Sequence, residues 1–419
     1  MRGLVQDDTL PLHMNHRILL TVSALVSLLG CASNPGPPTA LQLVRTGNAM
    51  GGREARVPNL APPVPGWLFL TWIEKDQEEH VLMLADTVVR YGGLHGFLEV
   101  HRSPDMLVNW ADFPTACSSE SGVNMFAWLE RTPESGGYGV QFKLLDDSDP
   151  SSPPLPMPIG PHSLHDHVGE AEHGFVSLAP NGPDSFLAVW LDGRLAGGHG
   201  HDEGRYVLMS RTVHTDGRLG PEVVIDDQVC SCCQTDLERL ADGTHIVVYR
   251  DCSDDNVRDI AWSHRTSEGW SEPEILHDDG WVIPGCPVNG PRATDDAVVW
   301  YTGTGDAGGE VKFVEFRADE GAILEPLDVD DGHPLGRVDI VKLESGTRIV
   351  TWLENVGDGE AEWRARPVNA RGEMGPSTVI DRVPATREVG FLRAVATSEG
   401  AVFTWFVPGR GVQTGLWVE

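Results

Sequence analysis

"LFLTWIE" occupies residues 68–74, and six later segments repeat its shape: "NMFAWLE" at 124–130, "FLAVWLD" at 186–192, "HIVVYRD" at 245–251, "DAVVWYT" at 296–302, "RIVTWLE" at 348–354 and "AVFTWFV" at 401–407. Each is apolar and rich in β-branched and aromatic residues, reaches an aromatic near its end and then meets a polar turn. That is the signature of a buried strand rather than of a helix. The aromatics are Trp72, Trp128, Trp190, Tyr249, Trp300, Trp352 and Trp405, about 55 residues apart on average. A unit of that length holds about four short strands, and such units array around an axis as blades. The 47 Gly and 30 Pro among 419 residues punctuate turns, and long helical periodicity is scarce. The sequence therefore predicts an all-β propeller of four-stranded blades over residues 41–419, with seven blades favoured and six as the alternative. Only 14 residues follow Trp405, too few for two strands, so "ALQLVRTG" at 40–47 is expected to supply the missing strand and close the ring.

Upstream, Met14-Asn15-His16-Arg17 precedes the apolar run "ILLTVSALVSLLG", which ends at Cys31. A basic start, a short apolar run and a small-residue boundary predict an export signal over residues 1–30, with Met14 as an alternative start. "LLGC" resembles the lipobox of bacterial lipoproteins, which implies lipidation of Cys31. Residues 31–40 then read as a Pro-rich tether. The expected location is the bacterial cell envelope, at the outer membrane, with the membrane touched through the lipid alone. A formal net charge of −31 opposes binding to nucleic acid and to anionic membranes, and it draws cations.

Two further stretches resemble the sialidase-like (BNR/Asp-box) propellers. "ARVPNL" (Arg56-Val57-Pro58) is similar to the Arg-Ile-Pro signature that opens the sialidase domain. "SHRTSEGWSEPEI" (263–275) is similar to an Asp-box, with Thr266 where the aspartate would stand. The resemblance implies a small acidic or glycan ligand and an exo-glycosidase or acidic-glycan-binding function. It implies a carboxylate clamp of three arginines, for which Arg56, Arg337 and Arg387 lie at comparable places in neighbouring blades, because a planar fork suits a carboxylate. It also implies a tyrosine nucleophile with a carboxylate base. Tyr301 is the nearest candidate for the first, and Glu172 is available as a base.

In a propeller the entrance to each blade's first strand and the exit from its second share one face. Counting back from the marker aromatics puts Arg56, Asp112, His173, Cys232, Cys233, Cys286, Arg337 and Arg387 at such entrances. Cys230 and Cys252, and His199 and His201, fall on loops of the same face. Five of the chain's seven cysteines fall here, with "CSCC" at 230–233. One reading is a copper or zinc site built from Cys230, Cys232, Cys233, Cys286 and Cys252 with His173, and more weakly His199 and His201, since thiolate and imidazole suit Cu(I) and Zn(II). A second is a disulfide framework among the six cysteines other than Cys31, which would make the propeller a stapled interaction scaffold. A third is thiol redox chemistry at Cys230-x-x-Cys233. Asp192, Arg194, Asp251 and Asn289 are either ligand-orienting groups or salt bridges and caps of the blade turns.

Overall fold

The computed structural model describes residues 42–48, 54–64, 67–88, 93–132, 136–146, 155–156, 160–196, 204–305, 308–322 and 324–418. The expected leader, Cys31, the tether, His199 and His201 lie outside these described residues. Among them no helix is long and apolar enough to cross a membrane.

Seven antiparallel sheets follow one another along the chain. Their inner strands are Ala55–Val64, Thr115–Ser118, His173–Pro180, Asp236–Arg239, Arg292–Thr294, Pro334–Lys342 and Arg393–Thr397. Each inner strand lies against the next, and the last returns to the first. The chain is a propeller of seven four-stranded blades, as the repeat of seven markers predicts. In blades 2, 4 and 5 two short segments share the outer position. In blade 4, for example, Gly269–Trp270 and Glu274–His277 both pair with Ile260–Thr266. The strand Gln42–Asn48 pairs antiparallel with Gly411–Val418 and occupies the outer position of blade 7.

The marker aromatics lie in the second strands, and all seven are buried. Each packs where its own blade meets the preceding one. Trp128 joins Phe69 and Leu82 of blade 1, Trp190 joins Met125 and Phe142 of blade 2, and Trp72 joins Val402 and Phe406 of blade 7. A buried indole needs a partner for its N–H. Residues i and i+2 of a strand share a face, which explains the recurring Trp-x-Glu/Asp. The Trp72, Trp190 and Trp352 Nε1 groups donate to Glu74, Asp192 and Glu354 at 3.0, 3.0 and 2.6 Å. Where the i+2 residue serves otherwise, the acceptor comes from a segment of the preceding blade. Trp300 Nε1 donates to Asp279, Trp405 Nε1 to Asp381 and the Tyr249 hydroxyl to Asp226.

Side chains at the inner strands stitch blade to blade. Asp112 Oδ2 accepts from the Phe175 N–H at 2.7 Å, Asp236 Oδ2 from Ala293 at 2.7 Å and Asp339 Oδ2 from Ala394 at 2.8 Å. Arg292 bridges Asp236 and Asp339 at 2.7 and 3.1 Å, which balances the buried carboxylates that hold these joints.

Candidate thiol site at the channel mouth

The entrances to the inner strands are bent in the same way in five blades. Val57, Phe175, Val288, Arg337 and Gly390 have φ of 49°, 53°, 49°, 54° and 61°. Glycine tolerates this region, whereas a β-branched valine there is strained by roughly 1–3 kcal/mol. The bend shifts the strand register between Arg56 and Asn59, between Gly174 and Ser177, and between Gly336 and Asp339. Two of the freed amides are caught by the preceding blade. Phe175 N–H donates to Asp112, and Arg337 N–H donates to Asn289 Oδ1 at 2.7 Å. These bends form one mouth, and the cysteines stand at it.

Cys230, Cys232 and Cys233 are buried, and their three sulfurs lie within 4.8 Å of one another. Cys230 Sγ is 3.8 Å from Cys232 Sγ and 3.5 Å from Cys233 Sγ. Sulfurs held tetrahedrally about an ion at ~2.3 Å would be ~3.8 Å apart, so the separations have the scale of a metal–sulfur shell. Cys286, Cys252, Phe175 and Val288 pack against the trio. None of the six described cysteines is joined in a disulfide. Cys286, from blade 5, packs against the Cys-x-Cys-Cys turn of blade 4 without joining the three sulfurs in their 4.8 Å group.

Two buried guanidiniums act on the sulfurs, Arg258 by contact and Arg250 within electrostatic reach of Cys233. Arg258 Nη1 is 3.1 Å from Cys230 Sγ. Arg250, at the end of the buried strand His245–Arg250, donates to the carbonyls of Asn289 (2.9 Å), Tyr301 (2.6 Å) and Arg258, and stacks on Trp281. The Asn289 N–H is directed at Cys233 Sγ at 3.4 Å. Hydrogen bonds from Cys232 and Cys233, with the Arg258 charge, hold the Cys230 thiol well below its usual range against the opposing effect of burial. The chemistry available to this arrangement is that of a shielded thiolate.

His173 does not join the sulfurs. Its Nδ1 lies 3.1 Å from Asp192 Oδ2, its Nε2 lies 3.1 Å from His167 Nδ1, and its ring stacks on His165. Both ring nitrogens are engaged within blade 3, where Arg194 also clasps Asp192 at 2.6 Å. Asp192 and Arg194 thus form the salt-bridged turn. Glu172 sits between two tyrosines that spacing did not single out. The Tyr138 and Tyr206 hydroxyls donate to its Oε2 at 3.4 and 3.2 Å. Burial and the Glu172 charge push both phenols up, and Tyr206 stands within electrostatic reach of Cys232 and Cys286. Tyr301, the expected nucleophile, instead donates to the Gly308 carbonyl at 3.0 Å.

The three arginines gather on this face but are not equivalent. Arg56 is held by Glu54 at 2.8 Å. Arg337 donates to the carbonyls of Thr386 and Gly390 and lies 5.0 Å over the Trp110 ring. Burial and the charge of nearby Arg387 push it down to about 10. Trp110, Phe113, Phe391 and Arg56 line an adjoining pocket of about 150 Å³. The sequence carried a signal for Arg250, an arginine closing the apolar strand "HIVVYR", and none for Trp110.

No family model and no curated protein matches the chain. Solved structures do. A protein of unknown function from Dyadobacter fermentans superposes with a TM-score of 0.51 at 11% identity, over 90% of this chain and 99% of its own. The polysaccharide lyase Uly1 gives 0.51 at 8% identity, over 90% and 99%. The intramolecular trans-sialidase of Ruminococcus gnavus, solved with oseltamivir carboxylate, gives 0.43 at 8% identity, over 91% and 97%. The neighbours include sialidases and other propeller glycosidases, and at these identities the likeness is one of fold.

Proposed function

We propose that the chain is an envelope lipoprotein whose propeller carries a soft-metal site, copper or zinc, in the Cys230/Cys232/Cys233 turn at the channel mouth. The observation that carries this reading is the convergence of three buried sulfurs beside the buried Arg258, with Arg250 within electrostatic reach; the surroundings favour thiolate at Cys230, burial pushes the Cys233 thiol up, and soft sulfur donors suit a soft cation. Adjacent Cys232 and Cys233 are poorly placed for two unstrained disulfides, which weighs against the stapled scaffold. Elemental analysis and thiol titration of protein purified without chelator test the proposal. One metal per chain together with free thiols is expected, and three disulfides with no metal would refute it. The anchor is tested apart: Cys31→Ser should release a folded domain from the membrane fraction, and a variant that still sediments with membranes contradicts lipidation.

A second reading, binding or hydrolysis of an acidic glycan, is favoured by Arg337 and Arg387 beside the aromatic pocket. A guanidinium fork over an indole suits a sugar carboxylate. It differs from the expectation drawn from the Arg-Val-Pro segment, because Arg56 is already engaged by Glu54. Titration with sialic-acid-like carboxylates should give binding that Arg337→Ala abolishes and Arg56→Ala weakens less. Absence of saturable binding to the parent removes this reading.

A further inference from the structure

The proposed metal reading leaves the ion open between copper and zinc, and the surroundings of the sulfurs bear on that choice. Resting on that reading, we infer that the trio holds copper(I) in three-coordinate sulfur geometry, with Arg250 and Arg258 as its fixed counter-charge.

The donor set comes first. Among the described residues no fourth cysteine, imidazole or carboxylate joins the three sulfurs in a mutual 4.8 Å group, and Cys286 reaches only the Cys232 edge of the trio. His173 is committed to Asp192 and His167. Zinc takes four protein ligands in a closed site, or three with a water in the fourth position. The water is poorly served here, since Cys230, Cys232 and Cys233 are 1%, 7% and 2% exposed. Three soft donors with no open position suit copper(I), which is content with three sulfurs.

Charge gives the second argument. Arg250 and Arg258 are buried at 1% and 7% exposure. The hydrogen bonds of Arg250 go to carbonyls, and those of Arg258 go to Cys230 Sγ and to Asn256 Oδ1 at 3.2 Å. The nearby carboxylates take their hydrogen bonds from groups other than these two guanidiniums. Asp259 accepts from the Gly280 and Trp281 N–H groups, Asp226 accepts from Tyr249, and Asp251 accepts from the Cys252 N–H. Uncompensated buried charge is costly, so the sulfurs are the natural partners of the two cations. Between these groups alone, three thiolates against two guanidiniums leave one negative charge, which a monovalent ion cancels and a divalent ion overshoots. Were Cys286, which packs against the trio, to enter as a fourth thiolate, the same balance would suit zinc. Cys286 therefore decides between the two ions.

The test loads the full chain with copper(I) and with zinc(II), each in competition with a chelator selective for that ion, and counts sulfur neighbours by X-ray absorption. The expected result is one copper(I) with three sulfur neighbours, retained in Cys286→Ser. Arg258→Gln should weaken copper(I) by about 10–100-fold, the usual effect of losing a group that supports a metal ligand, and Arg258→Lys should recover part of the loss. One zinc with four sulfur neighbours, lost in Cys286→Ser, would overturn the copper assignment and leave the metal reading standing. Copper(I) affinity equal in the parent and both Arg258 variants would overturn the charge argument. Neither metal binding would sink the metal reading itself.

Discussion

At the scale of single residues, the buried polar groups at the channel mouth are those whose roles need the fold. Asp112 is fully enclosed, and burial raises its carboxyl to about 7 although the Phe175 N–H pulls the other way. An unfolded aspartate titrates near ~3.9. Between these values the native state keeps a proton that the unfolded chain has lost, so stability falls as pH rises from ~4 to 7, by on the order of 3 kcal/mol from this group. Asp112→Asn keeps an oxygen for the Phe175 N–H and removes the titration. Its stability relative to the parent should therefore rise across that window in denaturant titrations at stepped pH. Parallel curves for the two proteins would contradict the assignment. The sequence announced Asp112 as an entrance position, because the distance from Trp128 fixed its place. It could not announce that Arg258 points at the Cys230 sulfur while Arg250 clasps carbonyls of the next blade, since that depends on how blades 4 and 5 meet.

At the scale of elements, the marker strands were legible because their chemistry is local. A Trp followed two residues later by a carboxylate satisfies its own indole on one face of one strand, and Trp72, Trp190 and Trp352 do so. Trp300 and Trp405 borrow Asp279 and Asp381 from the preceding blade, a pairing no local pattern contains. The left-handed bends at Val57 and Val288 were equally hidden, because valine is the residue least expected there. The strand Gln42–Asn48 belongs to the same scale. We propose that its pairing with Gly411–Val418 latches the ring. Deleting residues 42–48 should then lower the melting temperature by about 5 °C or more and promote aggregation through the opened edge. An unchanged melting curve would show that the ring holds without it.

At the scale of the whole molecule, seven repeats of one strand pattern specify a propeller, and the ring in turn carries residues far apart in the chain to one mouth. Cys230 and Cys286, Asp112 and Phe175, and Arg337 and Asn289 meet for that reason. Blade counting thus recovered the shared face, whereas side-chain direction within it was not recoverable. His173 and Tyr301 sit at foreseen places in their blades, yet Asp192 and Gly308 claim them. A mouth that holds a soft metal on the trio must lose that metal with one of its sulfurs. Metal stoichiometry of the intact chain, compared between Cys233→Ser and Cys117→Ser, tests it most directly. Cys117 is buried in the core between blades 2 and 3, away from the trio. One bound copper or zinc per chain is expected in the parent and in Cys117→Ser, and loss of that metal in folded Cys233→Ser. Equal metal content in the two variants, or none in the parent, would contradict it.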